Sequence, residues 1–321
     1  MRRYLIAGVV TLIGISAPAA PVFAQAKASA EASAASSVNP KWTAPKTAWG
    51  HPDLEGIWTS DDMRGVPMAR PTQFGTRRYL TDEEFFARAQ EREAARKVDN
   101  ARTGTFRNEE GTRDFGYTSM VIDPPDGRIP ALTAEARTRP PIRGTSGVGP
   151  FNTIDDFSLW DRCVTRGLAG SWLPVVYGNG TRIMQTPDSV VIFHEMVHET
   201  RVIPLDNRPA ASNAIKSYIG EARGHFEGDT LVVVATNYLE AGAYGGASSA
   251  LKTTERFKPS GPNTIDWSIK FEDPHTWTRP WSFGMRLTRD PQSQVFEYAC
   301  HEGNEGMRGM LKAARDAEKK H

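Results

Sequence analysis

The stretch Thr264-Ile-Asp-Trp-Ser-Ile-Lys-Phe-Glu272 alternates apolar and polar side chains along its length. In an extended chain this alternation places Trp267, Ile269 and Phe271 on one face and the polar residues between them on the other. A period of two with one apolar face is typical of a strand that covers a core and exposes its other side to solvent. The stretch therefore predicts an antiparallel sheet, because such sheets are commonly buried on one face.

Similar stretches recur from residue 180 onward, separated by Pro, Gly, Asn and Asp turn signals. The predicted strands are Thr181–Gln185, Val190–Ile203, Leu231–Thr236, Lys252–Phe257, Thr264–Glu272, Ser282–Thr288 and Gln294–Cys300. An earlier short strand contains Gly56-Ile-Trp58, a spacing common in lipocalin-like barrels. We therefore expect a mainly β protein, a lipocalin-like antiparallel β-barrel over residues 180–310, with a β-sandwich as the alternative.

Residues 49–179 are expected to form an N-terminal extension of helical and irregular segments around the barrel. Thr81 and Glu84 make a capping box, and Leu80 with Phe85 makes a hydrophobic staple, so a surface helix begins here. The segments after this helix are rich in Gly, Pro and polar residues, which indicates loops. Residues 311–321 are expected to form a charged C-terminal tail.

The first 24 residues have the composition of a signal peptide. Arg2 and Arg3 precede an apolar stretch, and Val22-Phe-Ala24 forms a cleavage site before Gln25. Residues 25–48 are rich in Ala and Ser and are expected to be a disordered leader. No later stretch reaches the roughly 18 apolar residues that span a bilayer, so we expect a periplasmic or secreted protein without membrane insertion after cleavage.

The charge balance argues against a nucleic-acid partner. The 321-residue chain has 39 Lys and Arg against 38 Asp and Glu, and cleavage after residue 24 removes two arginines. The mature chain then carries a formal net charge of −1 without a basic stripe. We expect a small molecule as the partner.

The two cysteines, Cys163 and Cys300, have two interpretations in an oxidising compartment. They predict one disulfide between the middle and the end of the chain. The alternative is a catalytic thiol at Cys300, which His301 follows directly. Adjacent side chains in a strand point to opposite faces, which favours the disulfide.

Residues His194-Glu-Met-Val-His198 match the H-E-x-x-H pattern of zinc hydrolases. That chemistry requires a helix, so that the two imidazoles lie one turn apart on the metal. The flanking residues are mostly β-branched, which favours a strand and leaves the zinc hydrolase as a lesser alternative. In a continuous strand, an inward His198 could serve as a general base.

Several motifs resemble those of a large family of exported, mostly uncharacterised bacterial proteins. They are DPPDGRIP (123–130), LWDRC (159–163), ExxHxxRxIPLDxRP (195–209), GxxEGDTLVV (224–233), ERF (255–257), DPxTxTRPW (273–281) and EYACHEGN (297–304). The resemblance covers roughly residues 50–310. Relatives often carry Tyr where this chain has His194, which further weakens the zinc hypothesis.

The remaining polar residues of these motifs suggest an acid–base site. The catalytic candidates are His198, Glu255, Arg201 and Arg279, with His198 or Glu255 as the base and Arg201 or Arg279 as the anion stabiliser. Substrate-binding candidates are Asn237, Asp273, Trp267, Trp277, Trp281 and Glu297. The alternative is structural, with these charges in ion pairs and turns, because charges inside barrels must be paired.

These residues fit a lyase or isomerase that needs no cofactor. Proton abstraction from a small aromatic compound, such as a lignin-derived phenolic, requires a base, an anion stabiliser and an aromatic wall. The competing hypotheses are a non-catalytic periplasmic small-molecule-binding protein, and the zinc hydrolase. A buried acid–base pair facing the ligand would favour the enzyme, and an all-aromatic cavity with paired charges elsewhere would favour the binding protein.

Overall fold

A computed structural model describes residues 42–103, 115–140, 149, 151–206, 209, 211–289 and 294–319. The expected signal peptide and most of the expected leader lie outside these residues. Ala44 is buried and Lys46 forms a bridge to Pro52, so the folded body begins a few residues before Trp49.

The regular structure of the described residues consists of ten strands, three α-helices and several short 3-10 turns. The strands are β1 Gly56–Thr59, β2 Val121–Asp123, β3 Thr181–Gln185, β4 Ser189–His194, β5 Thr200–Pro204, β6 Glu221–Glu227, β7 Thr230–Thr236, β8 Lys252–Gly261, β9 Thr264–Glu272 and β10 Trp281–Arg289. The α-helices are α1 Asp82–Thr103, α2 Ala134–Arg137 and α3 Glu305–Glu318. Short 3-10 turns lie at Asp61–Met63, Thr72–Phe74, Ile154–Asp156, Gly170–Trp172, Met196–His198, Glu240–Gly242 and Tyr244–Gly246.

The strands form one antiparallel sheet that curves into a nearly closed barrel, which confirms the predicted fold class. Its order is β5-β4-β3-β1-β10-β9-β8-β7-β6, and β2 adds a second partner to β10. Neighbours are joined in antiparallel register, for example Trp267 to Phe257 on one side and to Met285 on the other. The edge strands β5 and β6 approach each other at Gly224, where an added Cβ would lie 2.8 Å from Ile203 Cγ2.

The barrel interior is packed with large side chains. Trp267, Trp281, Phe257, Phe271 and Phe283 are almost completely buried. Their alternation along β8, β9 and β10 is the predicted period of two, since the residues between them lie on the outer face. The expected inward face of Thr264–Glu272 is therefore confirmed.

The N-terminal extension contributes a further large side chain to the barrel interior. Trp172, on a short turn outside the sheet, is 2% exposed and has ring contacts with His194, Phe257 and Trp267. Thr165 and Ser171 hold its segment in place by donating hydrogen bonds to the Glu199 carboxylate. The extension therefore fills part of the barrel with its own chain.

Aromatic contacts continue from Trp172 to another loop of the body. Trp267 lies 5.5 Å from Phe283 between ring centroids, and Phe283 lies 6.1 Å from Tyr244. Tyr244 belongs to the Gly- and Ala-rich loop of residues 241–250, and Ser248 of that loop is anchored to Asp273. This loop is therefore anchored to the body and covers interior aromatic side chains.

The Gly56-x-Trp58 pattern of β1 has a local physical reason. The Arg289 guanidinium of β10 stacks over the Trp58 ring at 4.9 Å from its centroid. Gly56 has a φ of +134°, and an added Cβ would lie 2.5 Å from Arg289 Nη2. A glycine at this position thus leaves room for the arginine that covers the tryptophan.

Four elements differ from the prediction. The predicted strand Val190–Ile203 is a hairpin of β4 and β5, interrupted by a turn at 195–198. The predicted strand Gln294–Cys300 is irregular, and β6 was missed because its sequence is rich in charged residues. Residues 311–318 of the expected tail belong to α3, whereas the α1 capping box is confirmed by hydrogen bonds between Thr81 and Glu84 in both directions.

Among the described residues, no helix has the length and apolar composition that crossing a membrane would require.

Replacing Trp172 by glycine tests whether its indole fills the barrel. We expect a loss of about 3–5 kcal/mol in the free energy of unfolding, because the substitution leaves a cavity lined by aromatic side chains. Free indole should enter that cavity and restore part of the lost stability, as apolar cavities bind matching ligands. Thermal unfolding with and without indole measures both effects. The control is Trp49→Gly, at a tryptophan that is 37% exposed, and an equal response of both variants would contradict the assignment.

Candidate functional site

Two of the predicted catalytic residues meet inside the barrel. Arg201 of β5 and Glu255 of β8 form a two-point ion pair, with Arg201 Nη2 donating to Glu255 Oε1 at 3.1 Å. Trp267 Nε1 donates to the same oxygen at 3.2 Å. Glu255 is fully buried and Arg201 is 5% exposed, so neither group is open to a substrate. This arrangement matches the structural alternative for these charges.

The ion pair also spans the gap in the sheet. β5 is one edge strand, whereas β8 lies two strands in from the other edge strand, β6. The edge strands are not neighbours in the hydrogen-bonded order of the sheet. The Arg201–Glu255 pair therefore connects the two ends of the sheet through the barrel interior.

His194 and His198 lie in different environments. His194 ends β4 and faces the interior, with its Nδ1 at 2.9 Å from Thr181 Oγ1. His198 lies in the following turn with a φ of 41° and is exposed to solvent. The preceding Val197 also has a positive φ, 63°, which turns the chain so that His194 N can bond to Glu199 O at 2.9 Å.

This turn overturns two interpretations of the H-E-x-x-H stretch. The inward His198 required a continuous strand, and the zinc hydrolase required a helix over residues 190–203. The turn was missed because its left-handed residues are Val and His rather than Gly or Asn. In the described part of the chain, no three His, Cys, Asp or Glu side chains are grouped to hold a metal ion.

Asp273 and Asn237 organise loops. Asp273 accepts hydrogen bonds from Ser248 N at 2.6 Å, from Thr276 Oγ1 at 2.6 Å and from His275 N at 3.0 Å. Burial alone would raise its pKa, but these hydrogen bonds outweigh burial and lower the pKa of Asp273. Asn237 follows β7 in a left-handed conformation, and its Nδ2 donates to Glu221 Oε2 at 3.1 Å.

The other predicted site residues are scattered. Trp277 and Trp281 are buried in the interior, where Trp281 stacks on Phe271 and Trp277 contacts Phe271 edge to face. Arg279 is exposed, on the loop that leads into β10. Glu297 is also exposed but lines a surface cleft. The structure thus brings together Arg201, Glu255 and Trp267, and separates them from His198, Arg279 and Glu297.

The predicted disulfide is confirmed, and it borders that cleft. Cys163 and Cys300 are bonded with a Cα–Cα distance of 5.8 Å across 137 residues of sequence. The cleft beside them has a volume of about 560 Å³. Its lining includes the Cys163–Cys300 disulfide and the side chains of Trp160, Asp161, Tyr177, Glu297, Tyr298 and Asn304. We refer to it as the disulfide cleft.

The walls of the disulfide cleft are held by local hydrogen bonds. In one wall, Ser158 Oγ donates to Asp161 Oδ2 at 2.8 Å. The other wall is joined to it by Asn304, whose Nδ2 donates to the Asp161 carbonyl at 2.6 Å. Together with the disulfide, these bonds preform the cleft, which lowers the entropy lost when a ligand binds.

The aromatic side chains of the cleft carry a distinctive polar pattern. The Tyr177 and Tyr298 hydroxyls lie 3.4 Å apart, and their rings are nearly parallel. Burial, together with the hydrogen bond to Tyr177, raises the pKa of Tyr298, so this phenol is protonated at neutral pH. The Arg166 guanidinium stacks on Trp160 at 4.7 Å from the ring centroid, and burial lowers its pKa to about 10.

Among the residues of the cleft, Glu297 and the disulfide are predicted from the sequence, whereas Trp160, Tyr177 and Tyr298 are not. A signal was present, because Trp160 and Tyr298 flank the two cysteines in the LWDRC and EYACHEGN motifs. A disulfide brings the residues around its two cysteines together, whatever their separation in sequence. Tyr177 had no such signal, since it lies in a loop between Pro174 and Gly178.

A second surface cavity, of about 330 Å³, is lined mainly by aliphatic and methionine side chains, among them Met63, Val66 and Met120. It has few polar groups to orient a ligand, so the disulfide cleft is the stronger candidate.

Comparisons with models of known protein families, with curated proteins and with solved structures give no match to this chain.

Breaking the interior ion pair should destabilise the barrel. We expect Glu255→Gln to lose about 3–5 kcal/mol in the free energy of unfolding, because it leaves the Arg201 charge buried without a counter-charge. The double variant Arg201→Met/Glu255→Leu should lose less stability than Glu255→Gln, because it leaves no unpaired charge in the interior. Urea unfolding measures these differences. Glu227→Gln, in an exposed ion pair with Arg256, is the control and should lose much less stability than Glu255→Gln. Equal losses for Glu255→Gln and Glu227→Gln would refute the assignment.

The burial of His194 should make stability depend on pH. Burial, with the nearby Arg201 and Arg166 charges, lowers the pKa of His194 to about 3. The unfolded chain binds this proton below about pH 6.5 and the folded chain does not, so stability falls as the pH drops from 6.5 towards 3. His194→Gln should reduce this slope by up to about 1.4 kcal/mol per pH unit.

Denaturant unfolding between pH 4 and 7 measures this slope. The control is His301→Gln, because His301 is exposed and should leave the slope unchanged. If the native protein and His194→Gln had the same slope, His194 would not be buried in its neutral form.

Proposed function

We propose that this chain is an exported binding protein for a small aromatic molecule, and that the disulfide cleft is its binding site. The observation that carries the proposal is the preformed cleft of about 560 Å³ with Trp160, Tyr177 and Tyr298 in its walls. Ligand sites are typically concave, rich in aromatic side chains and supplied with a few polar groups that orient the ligand. Glu297 and Asn304 supply such groups here.

The disulfide fits the proposed export to the periplasm or the medium. Disulfides form and persist in oxidising compartments, and this one borders the proposed site. The expected signal peptide of residues 1–24 would provide the route.

Binding fits the arrangement of side chains better than catalysis. The expected base Glu255 is fully buried in an ion pair, and the expected base His198 is exposed elsewhere. A general base must lie within hydrogen-bond reach of the proton that it removes. The paired charges away from the cleft match one part of the arrangement expected of a binding protein, whereas the cleft is not all-aromatic, because Asp161 and Glu297 lie in its lining. The lyase or isomerase activity stays a prediction.

Tyr298→Ala tests the proposed site. Calorimetric titration with phenol, guaiacol, 2-phenylethanol and 2-phenylethylamine should find at least one ligand, and the variant should bind it about tenfold more weakly, because one aromatic wall is lost.

Phe296→Ala is the matched control, because Phe296 is 65% exposed two residues away and does not line the cleft. It should bind the ligand like the native protein, and thermal unfolding should show both variants folded. Equal weakening in the two variants, or no binding of any of the four compounds to the native protein, would refute the proposed function.

A further inference from the structure

The charged residues that line the disulfide cleft are both acidic. Asp161 and Glu297 lie in the lining, and its described residues include no Lys, Arg or His. The Arg166 guanidinium lies over the Trp160 ring and acts electrostatically on Tyr298, but Arg166 itself does not line the cleft. An anionic ligand would therefore face two carboxylates without a counter-charge in the lining.

The two carboxylates differ in their surroundings. Asp161 accepts a hydrogen bond from Ser158 Oγ and thereby stabilises its own turn. Glu297 is exposed at the cleft, and no side chain in the described ranges pairs with it. Glu297 is thus the carboxylate available to a ligand.

The aromatic side chains of the cleft also favour a positively charged ligand. The faces of Trp and Tyr rings carry negative potential and attract ammonium and guanidinium groups. The protein itself uses this attraction, since the Arg166 guanidinium lies over the Trp160 ring. Trp160, Tyr177 and Tyr298 together with Glu297 make a set of groups that suits an organic ammonium ion.

We propose that the ligand of the disulfide cleft is an organic cation, in which an ammonium group is attached to an aromatic body. The aromatic body packs against the tyrosine and tryptophan rings, and the ammonium group donates to the Glu297 carboxylate. This inference rests on the proposed function, because it names the class of ligand for the same cleft. It differs from the phenolic ligand expected from the sequence, which carries no positive charge.

Three probes with one aromatic body test the charge. They are 2-phenylethylamine, which is cationic at pH 7, the neutral 2-phenylethanol and the anionic 3-phenylpropanoate. Calorimetric titration of the native protein should give about tenfold tighter binding of the amine than of the alcohol, because a hydrogen bond to a charged group is stronger than a neutral one. The anion should bind most weakly.

Glu297→Gln separates the charge from the aromatic contacts. It should weaken binding of the amine about tenfold and leave binding of the alcohol unchanged, since the amide keeps the shape of the side chain and removes its charge. The matched control is Glu302→Gln, an exposed glutamate of the same segment that does not line the cleft, and it should change neither affinity.

The outcomes distinguish the two proposals. If the amine and the alcohol bind equally and Glu297→Gln changes neither, the cationic ligand is refuted, whereas the binding function stands as long as Tyr298→Ala weakens both. If the anion binds best, the cationic ligand is also refuted. If none of the three probes binds, the cationic ligand is refuted, and the binding function fails with it unless phenol or guaiacol binds. If binding is indifferent to Tyr298→Ala, both proposals fail.

Discussion

The Arg201–Glu255 ion pair is the interaction on which the barrel depends. The edge strands β5 and β6 approach each other without being neighbours in the hydrogen-bonded order, so the barrel is closed by side chains at this point. The ion pair reaches from β5 to β8 across the interior, and Trp267 adds a hydrogen bond to the same carboxylate. Buried charges are tolerated only when they are paired and hydrogen-bonded, and the geometry of this pair satisfies both conditions.

The interior of this barrel is filled with packed side chains that stabilise the fold. Trp172 enters from the N-terminal extension, Tyr244 covers aromatic side chains from a loop, and the interior rings lie in contact between them. Of the acid–base residues predicted from the sequence, Arg201 and Glu255 are buried in the interior ion pair, whereas His198 and Arg279 are exposed outside the barrel interior. The chemistry available to a ligand lies instead beside the disulfide, where two segments 137 residues apart in sequence form one cleft.

The fold could be predicted from the sequence because it depends on local patterns. The alternation in Thr264–Glu272 and the capping box at Thr81 have direct physical causes, and two cysteines in one chain allow only one intramolecular pairing. The candidate site could not be predicted in the same way. The exposure of His198 depends on a turn made by Val197 without a glycine, and the pairing of Arg201 with Glu255 depends on the curvature of the whole sheet. Of the site residues predicted from the sequence, only Glu297 and the two disulfide cysteines line the cleft.

The central claim is that the ligand binds beside the disulfide and outside the filled barrel. Amide hydrogen exchange with saturating 2-phenylethylamine tests it most directly, because exchange reports on each segment separately. Slower exchange confined to residues 158–164, 176–178 and 297–304, with β8, β9 and β10 unchanged, is the predicted result. Protection or deprotection of those barrel strands, with the segments around the disulfide unchanged, would place the ligand inside the barrel and contradict the claim.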